Sequence, residues 1–376
     1  MVDVYVRTDR EVHTGRLAHQ RSGPAHGVAI AVLALTSTLA GCATQPAMTF
    51  VPSPASCRSV APDPLHVGGV RWIGPDDRRD RKKLDAWCAT VGPVVVDGPS
   101  APQARISEEL AVVSWNTHVG GGDVVALVQR LRRGDFTGGA PVADFVLLLQ
   151  EVYRRGPAVP DARAKGVAVP APILVRPPAG ERRDILAVAR SLALHLAYAP
   201  AMRNGPGDED RGNAILATLP LTDLLVIELP FERQRRVAIA ATVREPAEAG
   251  PFWQVRVATA HFDTSLALDR GGPAAARRRQ ARALIEALSS SPTPIVVAGD
   301  FNTWWGDNEP AVRDLRGAFP DAEATRPART WGGAFRAMGA LDHMFARING
   351  RRLNVGRLPD RFGSDHYPLM TVIRLR

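Results

Sequence analysis

Only three cysteines occur in the 376 residues, Cys42, Cys57 and Cys88, and none stands in a Cys-x-x-Cys pair. A zinc ribbon or a thioredoxin-type redox motif is therefore excluded. Lysine is almost missing as well. Lys82, Lys83 and Lys165 are the only examples, so nearly all positive charge is arginine. No apolar run approaches the ~20 residues that a membrane-spanning helix needs. Self-similarity at the period of a solenoid or propeller is also absent.

What is present describes a globular chain with ample length for a large core: 45% hydrophobic and 23% charged residues. The net charge of +9 suits a polyanionic partner, nucleic acid or an acidic membrane surface. A composition rich in Arg, Ala, Gly and Pro would give the same excess without any such partner.

Residues 28–39 (VAIAVLALTSTL) form an apolar stretch preceded by Arg16 and Arg21, the length of a secretory h-region. Leu39-Ala40-Gly41-Cys42 follows and resembles a bacterial lipobox. The expectation is a lipoprotein signal over 1–41, lipidation of Cys42, and a bacterial cell-envelope location through that lipid. Residues 42–56, with Pro46, Pro52 and Pro54, read as an extended tether. Residues 57–105 form a small N-terminal segment. In an exported chain the remaining pair, Cys57 and Cys88, is expected to be bridged. Trp72 and Trp87 are candidate packing anchors there, and the charge run over 76–83 reads as a solvated face.

From Leu110 the pattern alternates strand and helix. The apolar run at 110–113 and the buried-type strand at 145–149 are each followed by polar residues. Val124, Leu127, Val128 and Leu131 lie at i, i+3, i+4, i+7 behind Asp123, which predicts a capped helix. Ile185, Val188, Ala189 and Leu192 mark a second helix, and 152–180 reads as a long Pro/Gly-rich loop. Strands are expected over 213–218, 223–229, 237–243, 254–260 and 295–298. A helix with an Arg-rich outer face is expected over 274–288, and strands at 341–348 and 367–373 close the pattern. Mixed crossover and hairpin strands of this kind fit two packed sheets with helices outside.

At the ends of these runs stand Ser114-Trp115-Asn116, Gln150-Glu151, Arg211-Gly212-Asn213, His261-Phe262-Asp263, Gly299-Asp300-Phe301-Asn302, Leu341-Asp342-His343 and Ser364-Asp365-His366. Carboxylates, carboxamides and imidazoles are the groups that hold a hard cation and move protons around a phosphate. The ordered set resembles the endonuclease/exonuclease/phosphatase superfamily, over roughly the C-terminal two-thirds of the chain. The resemblance implies an α/β fold, a four-layer sandwich of two mixed β-sheets flanked by helices, over 106–376. It also implies a metal-dependent phosphoric ester hydrolase using Mg²⁺, with Mn²⁺ as an alternative.

By the same resemblance Asn116, Glu151 and Asp365 supply metal ligands. Asp300 orients or deprotonates the attacking water, and Asn302 holds the phosphate. His366 contacts the scissile phosphate with Asp342 behind it, and His261 is the second histidine, its carboxylate partner left open among Asp263, Asp208 and Asp210. Arg211 and Asn213 are expected at the phosphate. The run Ala340-Leu341-Asp342-His343 departs from the Trp-Cys-Asp-Arg of the inositol 5-phosphatases, and His261 looks more like the deoxyribonuclease and sphingomyelinase branches. The leading expectation is a nuclease. A phospholipase C or sphingomyelinase-like hydrolase, with Trp304-Trp305 entering lipid, and a catalytically silent binding module are the alternatives.

Overall fold

Two apolar runs, ending at Asn116 and at Gln150, lie side by side in parallel register, Val112 against Val146 and Asn116 against Gln150. This pair forms the middle of one sheet in the computed structural model. The structure describes residues 50–51, 60–61, 69–75, 78–99, 107–161, 180–205, 207–244, 253–264, 271–324, 329–332 and 340–375, all within the unit Ala47–Arg376. The expected signal over 1–41 and the lipidation site Cys42 lie outside the described residues.

The strands are numbered in chain order. One sheet of seven runs β1 (Phe50–Val51), β3 (Arg71–Pro75), β9 (Leu221–Glu228), β10 (Val237–Arg244), β11 (Gln254–His261), β12 (Ile295–Asp300) and β14 (Asp342–Arg347). The other, of nine, runs β13 (Ala322–Ala324), β15 (Leu353–Arg357), β16 (Leu369–Arg374), β5 (Glu109–Asn116), β6 (Phe145–Arg155), β8 (Glu209–Ala217), β7 (His195–Arg203), β4 (Val94–Asp97) and β2 (Val60–Ala61). Both are mixed, as β11–β12 and β5–β6 are parallel while β10–β11 and β6–β8 are antiparallel.

Three apolar clusters define four layers. The largest fills the space between the sheets, with Val112, Leu148, Ile215, Ile239 and Val296. A second seals α2 (Val124–Arg133) and α3 (Ile185–Leu192) onto the nine-stranded sheet. A third seals α4 (Gly272–Ser289) and α5 (Pro310–Ala318) onto the seven-stranded sheet. The four-layer sandwich expected from the sequence is the fold observed. Asp123 caps α2 by accepting from Ala126 N at 3.0 Å, and Val124, Leu127, Val128 and Leu131 are its buried face.

The N-terminal segment is built into both sheets. Trp72 of β3 pairs with Val226 of β9, and Val96 of β4 pairs with Ala197 of β7. Between them α1 (Arg78–Cys88) covers the end of the sandwich, and Trp72 and Trp87 are both buried in the central core. The charge run is not wholly solvated, because it is helical from Arg78 and its Asp80 is buried against Lys83. Cys88 is disulfide-bonded, and its expected partner Cys57 lies outside the described residues. A buried cluster fastens the turn after α1. Arg154 Nε donates to Asp210 Oδ1 at 2.9 Å, Tyr198 Oη to the same oxygen at 2.8 Å, and Gly92 N to Asp210 Oδ2 at 2.9 Å.

Several elements differ from the sequence reading. The region taken as a loop from 152 is strand as far as Arg155, because a bulge between Leu149 and Val152 lets β6 continue against β8. Strand β7 went unread, since Pro200 interrupts it; the proline is accommodated at a register shift between Pro200 and Met202. Helix α4 is not simply Arg-rich on its outside. Arg277 is fully buried and bonded to Glu309, while Arg278 and Arg282 pair with Asp314 and Arg279 with Glu232. Those arginines fasten α4 to α5 and to the loop at Glu232, so they do not form a free cationic face.

Candidate active site

Strand register assembles the site. In the seven-stranded sheet His261 of β11 lies opposite Asp300 of β12, and Asp300 lies opposite Asp342 of β14. Three residues far apart in sequence thus share one cross-strand row at a sheet end. In the other sheet Asn116 and Gln150 are register partners, and Glu151 follows in the β6 bulge. Gly299 makes the row possible: a Cβ there would stand 2.0 Å from the carbonyl oxygen of Ala260, so only glycine lets β12 approach β11 this closely. Glu151 and Asn302 both have φ of +50°. Asn tolerates that conformation well and Glu does not, which marks Glu151 as held there by its surroundings.

The two sheet ends are stitched together by side chains. Asn116 Nδ2 donates to Asp300 Oδ2 at 2.8 Å, and Gln150 Nε2 to Thr259 Oγ1 at 2.8 Å. Asn213 Nδ2 donates to the carbonyl of Val237 at 2.7 Å. The segment carrying Asp365 and His366 is pinned to β5, because Ser364 Oγ donates to Asn116 O at 2.7 Å and Trp115 Nε1 to His366 O at 3.0 Å. Ser114, Trp115 and Ser364 are therefore the frame of their motifs, while Asn116 and His366 face the site.

His366 Nδ1 lies 2.8 Å from Asp342 Oδ2, and its Nε2 lies 3.8 Å from Asp300 Oδ2. The Asp342 bond fixes the imidazole so that Nε2 faces Asp300. His261 stands on the other side of Asp300, with Nε2 3.5 Å from Oδ2, and its Nδ1 is 3.8 Å from Glu151 Oε1. None of Asp263, Asp208 and Asp210 is beside His261. Asp263 accepts from Arg233 N and Gln234 N, Asp210 belongs to the Arg154 cluster, and Asp208 faces Arg155. The carboxylates beside His261 are Glu151 and Asp300. Asn302 closes the group, its N–H donating to Asp300 Oδ1 and its Nδ2 to Phe262 O, both at 3.0 Å.

Burial and charge push these groups apart in basicity. Burial, helped by the nearby Asp342 carboxylate, raises Asp300 above the usual carboxylate range. Burial acts to lower His366, but the Asp342 and Asp300 carboxylates outweigh it and raise the imidazole. His261 goes the opposite way, lowered by burial and then by the guanidinium groups of Arg236 and Arg211. One imidazole is thus biased toward the charged form and the other toward the neutral form. That is a usable arrangement for paired acid and base work.

The donor set fits a hard divalent cation. Asp300, Asp342 and His366 place ligand atoms within 4.8 Å of one another, and Asp342 Oδ1 is buried with no hydrogen-bond partner among the described residues. Crowded buried carboxylates repel each other, and a cation would relieve that repulsion. Of the ligands expected from the sequence, Glu151 and Asp365 are partly exposed, and Asp365 Oδ1 lies 4.0 Å from His366 Nε2. Asn116 is buried against Asp300. The oxygen-rich group therefore spans both the expected set and the closer cluster.

The phosphate contacts expected at Arg211 and Asn213 lie beside Glu151 and His261, lining a narrow cavity with Arg236. Arg236 had escaped the sequence reading; the Arg-Arg pair before an apolar strand was the available signal. So had Trp331, whose Nε1 donates to Asp365 Oδ2 at 3.2 Å and which bridges to His366. His343 belongs to the interior: its Nε2 lies 2.7 Å from Thr303 Oγ1 and 3.0 Å from Ala340 O. Burial lowers it to about 4, outweighing Asp307 and Asp342. Because its folded value lies below the unfolded one, its contribution is complete above pH ~6.5 and is lost as pH falls toward 4. Stability should drop by up to about 3 kcal/mol across that window. Denaturant melts of His343→Gln should show a flatter profile, and an unchanged profile would remove His343 as the cause.

The profile of the Endonuclease/Exonuclease/phosphatase family matches residues 113–366. No curated protein matches the chain. Among solved structures, a family protein from Leptotrichia buccalis C-1013-b is similar at 13% identity and TM-score 0.47, over 70% of this chain and 98% of that one. The human Nocturnin catalytic domain is similar at 18% identity and TM-score 0.44, over 74% and 96%. Sphingomyelinase C from Streptomyces griseocarneus is similar at 16% identity and TM-score 0.39, over 70% and 99%. With its motifs gathered at one end of a two-sheet sandwich and the family profile running from Val113 to His366, this chain belongs to the endonuclease/exonuclease/phosphatase family.

Proposed function

We propose that the protein is an exported, lipid-anchored, Mg²⁺-dependent phosphodiesterase that hydrolyses nucleic acid. The observation that carries the chemistry is the line Asp342–His366–Asp300–His261, flanked by Glu151, Asn116 and Asp365. In this reading Asp342 orients His366, whose Nε2 donates to a phosphate oxygen and stabilises the charge that develops there. Asp300, raised by burial, accepts a proton from the attacking water while Asn302 helps place the phosphate. His261, biased neutral and with Nε2 3.5 Å from Asp300, takes up that proton from Asp300 and passes it to the departing oxygen. Glu151, Asp365 and Asn116 would hold Mg²⁺, which when bound polarises the phosphate and neutralises its charge.

The test is initial rate on plasmid DNA against Mg²⁺ concentration. Glu151→Gln keeps the shape and removes one ligand charge, so it should need more Mg²⁺ and recover part of its rate when the ion is in excess. An unchanged Mg²⁺ requirement would take Glu151 out of the ligand set. Membrane fractionation of the expressed chain decides the anchor separately.

A second reading, hydrolysis of phospholipid head groups, draws on one observation. Trp305, 57% exposed, is the large apolar side chain most open to solvent among the described residues, and it follows Asp300 and Asn302 on the same loop. It could enter lipid or stack on a base. Parallel assays on DNA, RNA and phospholipid vesicles separate the two.

A further inference from the structure

Two adjacent arginines end the loop before β10, and they are treated differently by the fold. Arg235 is fully buried and fully matched: Nε and Nη2 reach Glu228 at 2.6 and 2.9 Å, and Nη1 reaches the carbonyls of Pro200 and Ala201. Arg236 is 5% exposed, and its Nε is shut off from solvent with no hydrogen-bond partner among the described residues. The nearby carboxylate of Asp263 is engaged by Arg233 N and Gln234 N. Leaving a buried guanidinium donor without an acceptor costs stability, so its retention calls for an explanation outside the resting fold.

The cavity that Arg236 lines supplies one. It is bounded also by Arg211, Asn213, Glu151 and His261, and its volume of about 10 Å³ admits one oxygen-sized group. An acyl chain or a nucleobase does not fit there, whereas the oxygen edge of an anion does. Two guanidinium groups converge on it, and both act electrostatically on His261. Planar guanidinium groups are suited to phosphate oxygens, which they meet with paired donors.

We propose that Arg236 and Arg211 form an anion subsite beside the Asp300–Asp342–His366 cluster, which receives a second phosphate of the substrate, next to the one being cleaved. This inference rests on the phosphoesterase reading and narrows it to substrates with at least two phosphates, as in nucleic acid. A phospholipid with one phosphate leaves the subsite empty. Arg236 is a specificity-determining residue in this account.

The test has two arms. In the first, inorganic phosphate is titrated into the whole chain in EDTA by calorimetry. The wild type should bind it, Arg236→Gln at least ten-fold more weakly, and Arg236→Lys in between, since lysine keeps the charge and loses the fork. No binding by the wild type, or equal binding by Arg236→Gln, overturns the subsite. In the second arm, kcat/KM is compared between dithymidylate and its terminally phosphorylated forms. The wild type should favour a phosphorylated form by at least ten-fold, and Arg236→Gln should bring the ratio toward one; an unchanged ratio overturns the proposal. Melting in phosphate-free buffer guards against a purely structural role. Arg236→Gln should be no less stable than the wild type, and a marked loss would make Arg236 a structural anchor instead. Failure of the chain to cleave any nucleotide would count against the nuclease reading, while the phosphate titration would still decide the subsite.

Discussion

His366→Ala is expected to lower the rate on plasmid DNA by ~10²-fold or more, and added Mg²⁺ should not restore it. The imidazole is fixed by the 2.8 Å contact with Asp342 and faces Asp300 at 3.8 Å. It is buried, and its Nδ1 is the ring nitrogen that meets Asp342 Oδ2. Water entering the space left by the ring could donate a hydrogen bond, but without the preorganisation or the charge that Asp342 and Asp300 maintain. Asp342→Asn should give an intermediate loss, because the amide can still orient the ring and cannot support its charge. The comparison with Glu151→Gln makes the experiment decisive: excess metal should rescue the ligand variant and leave the histidine variant unchanged. Near wild-type rates for His366→Ala would refute the mechanism whatever the fold.

The second large effect is on stability. Arg154→Ala or Asp210→Asn should each cost about 3–5 kcal/mol, the usual consequence of leaving one half of a buried ion pair. Arg154 and Asp210 are 3% and 0% exposed at their side chains, and Asp210 also accepts from Tyr198 Oη and Gly92 N. Arg154 Nη1 further donates to Pro93 O at 2.7 Å. Loss of either partner therefore loosens the turn that joins α1 to β4, as well as β6 and β8. Urea denaturation measures it. An apolar double replacement, Arg154→Met with Asp210→Leu, should cost less than the worse of the two single changes, because it leaves no uncompensated charge. If the single variants melt like the wild type, the cluster is not what fastens the N-terminal segment.

Legibility varied with the kind of signal. Helices α2 and α3 were readable because their apolar residues recur at helical spacing, in α2 behind the cap Asp123, while the cap of α3, Asp184, was shown by the structure. Strands β8 to β12 were readable as apolar runs bounded by turn residues. Strand β7 was not, since Pro200 reads as a breaker and only pairing with β8 shows it at a register shift. Helix α1 was hidden in a charge run whose Asp80 is buried by its neighbours. The arginines of α4 looked like a surface for a polyanion, whereas Glu232, Glu309 and Asp314 occupy them. Charge counted along a chain does not reveal which charges are already paired.

The sequence by itself determined the layered α/β architecture and the list of polar residues at strand ends, because apolar periodicity and strand-terminal polar motifs are local properties. Tertiary structure alone decided which of those residues meet. Register places His261, Asp300 and Asp342 in one row, and contact between the sheets brings Asn116 to Asp300 and His366 to Asp342. It also separated Arg235, matched by Glu228, from Arg236, whose Nε has no partner among the described residues. Neighbours in sequence diverge there because both stand at the end of the loop before β10, and what each side chain meets is set by elements distant in the chain.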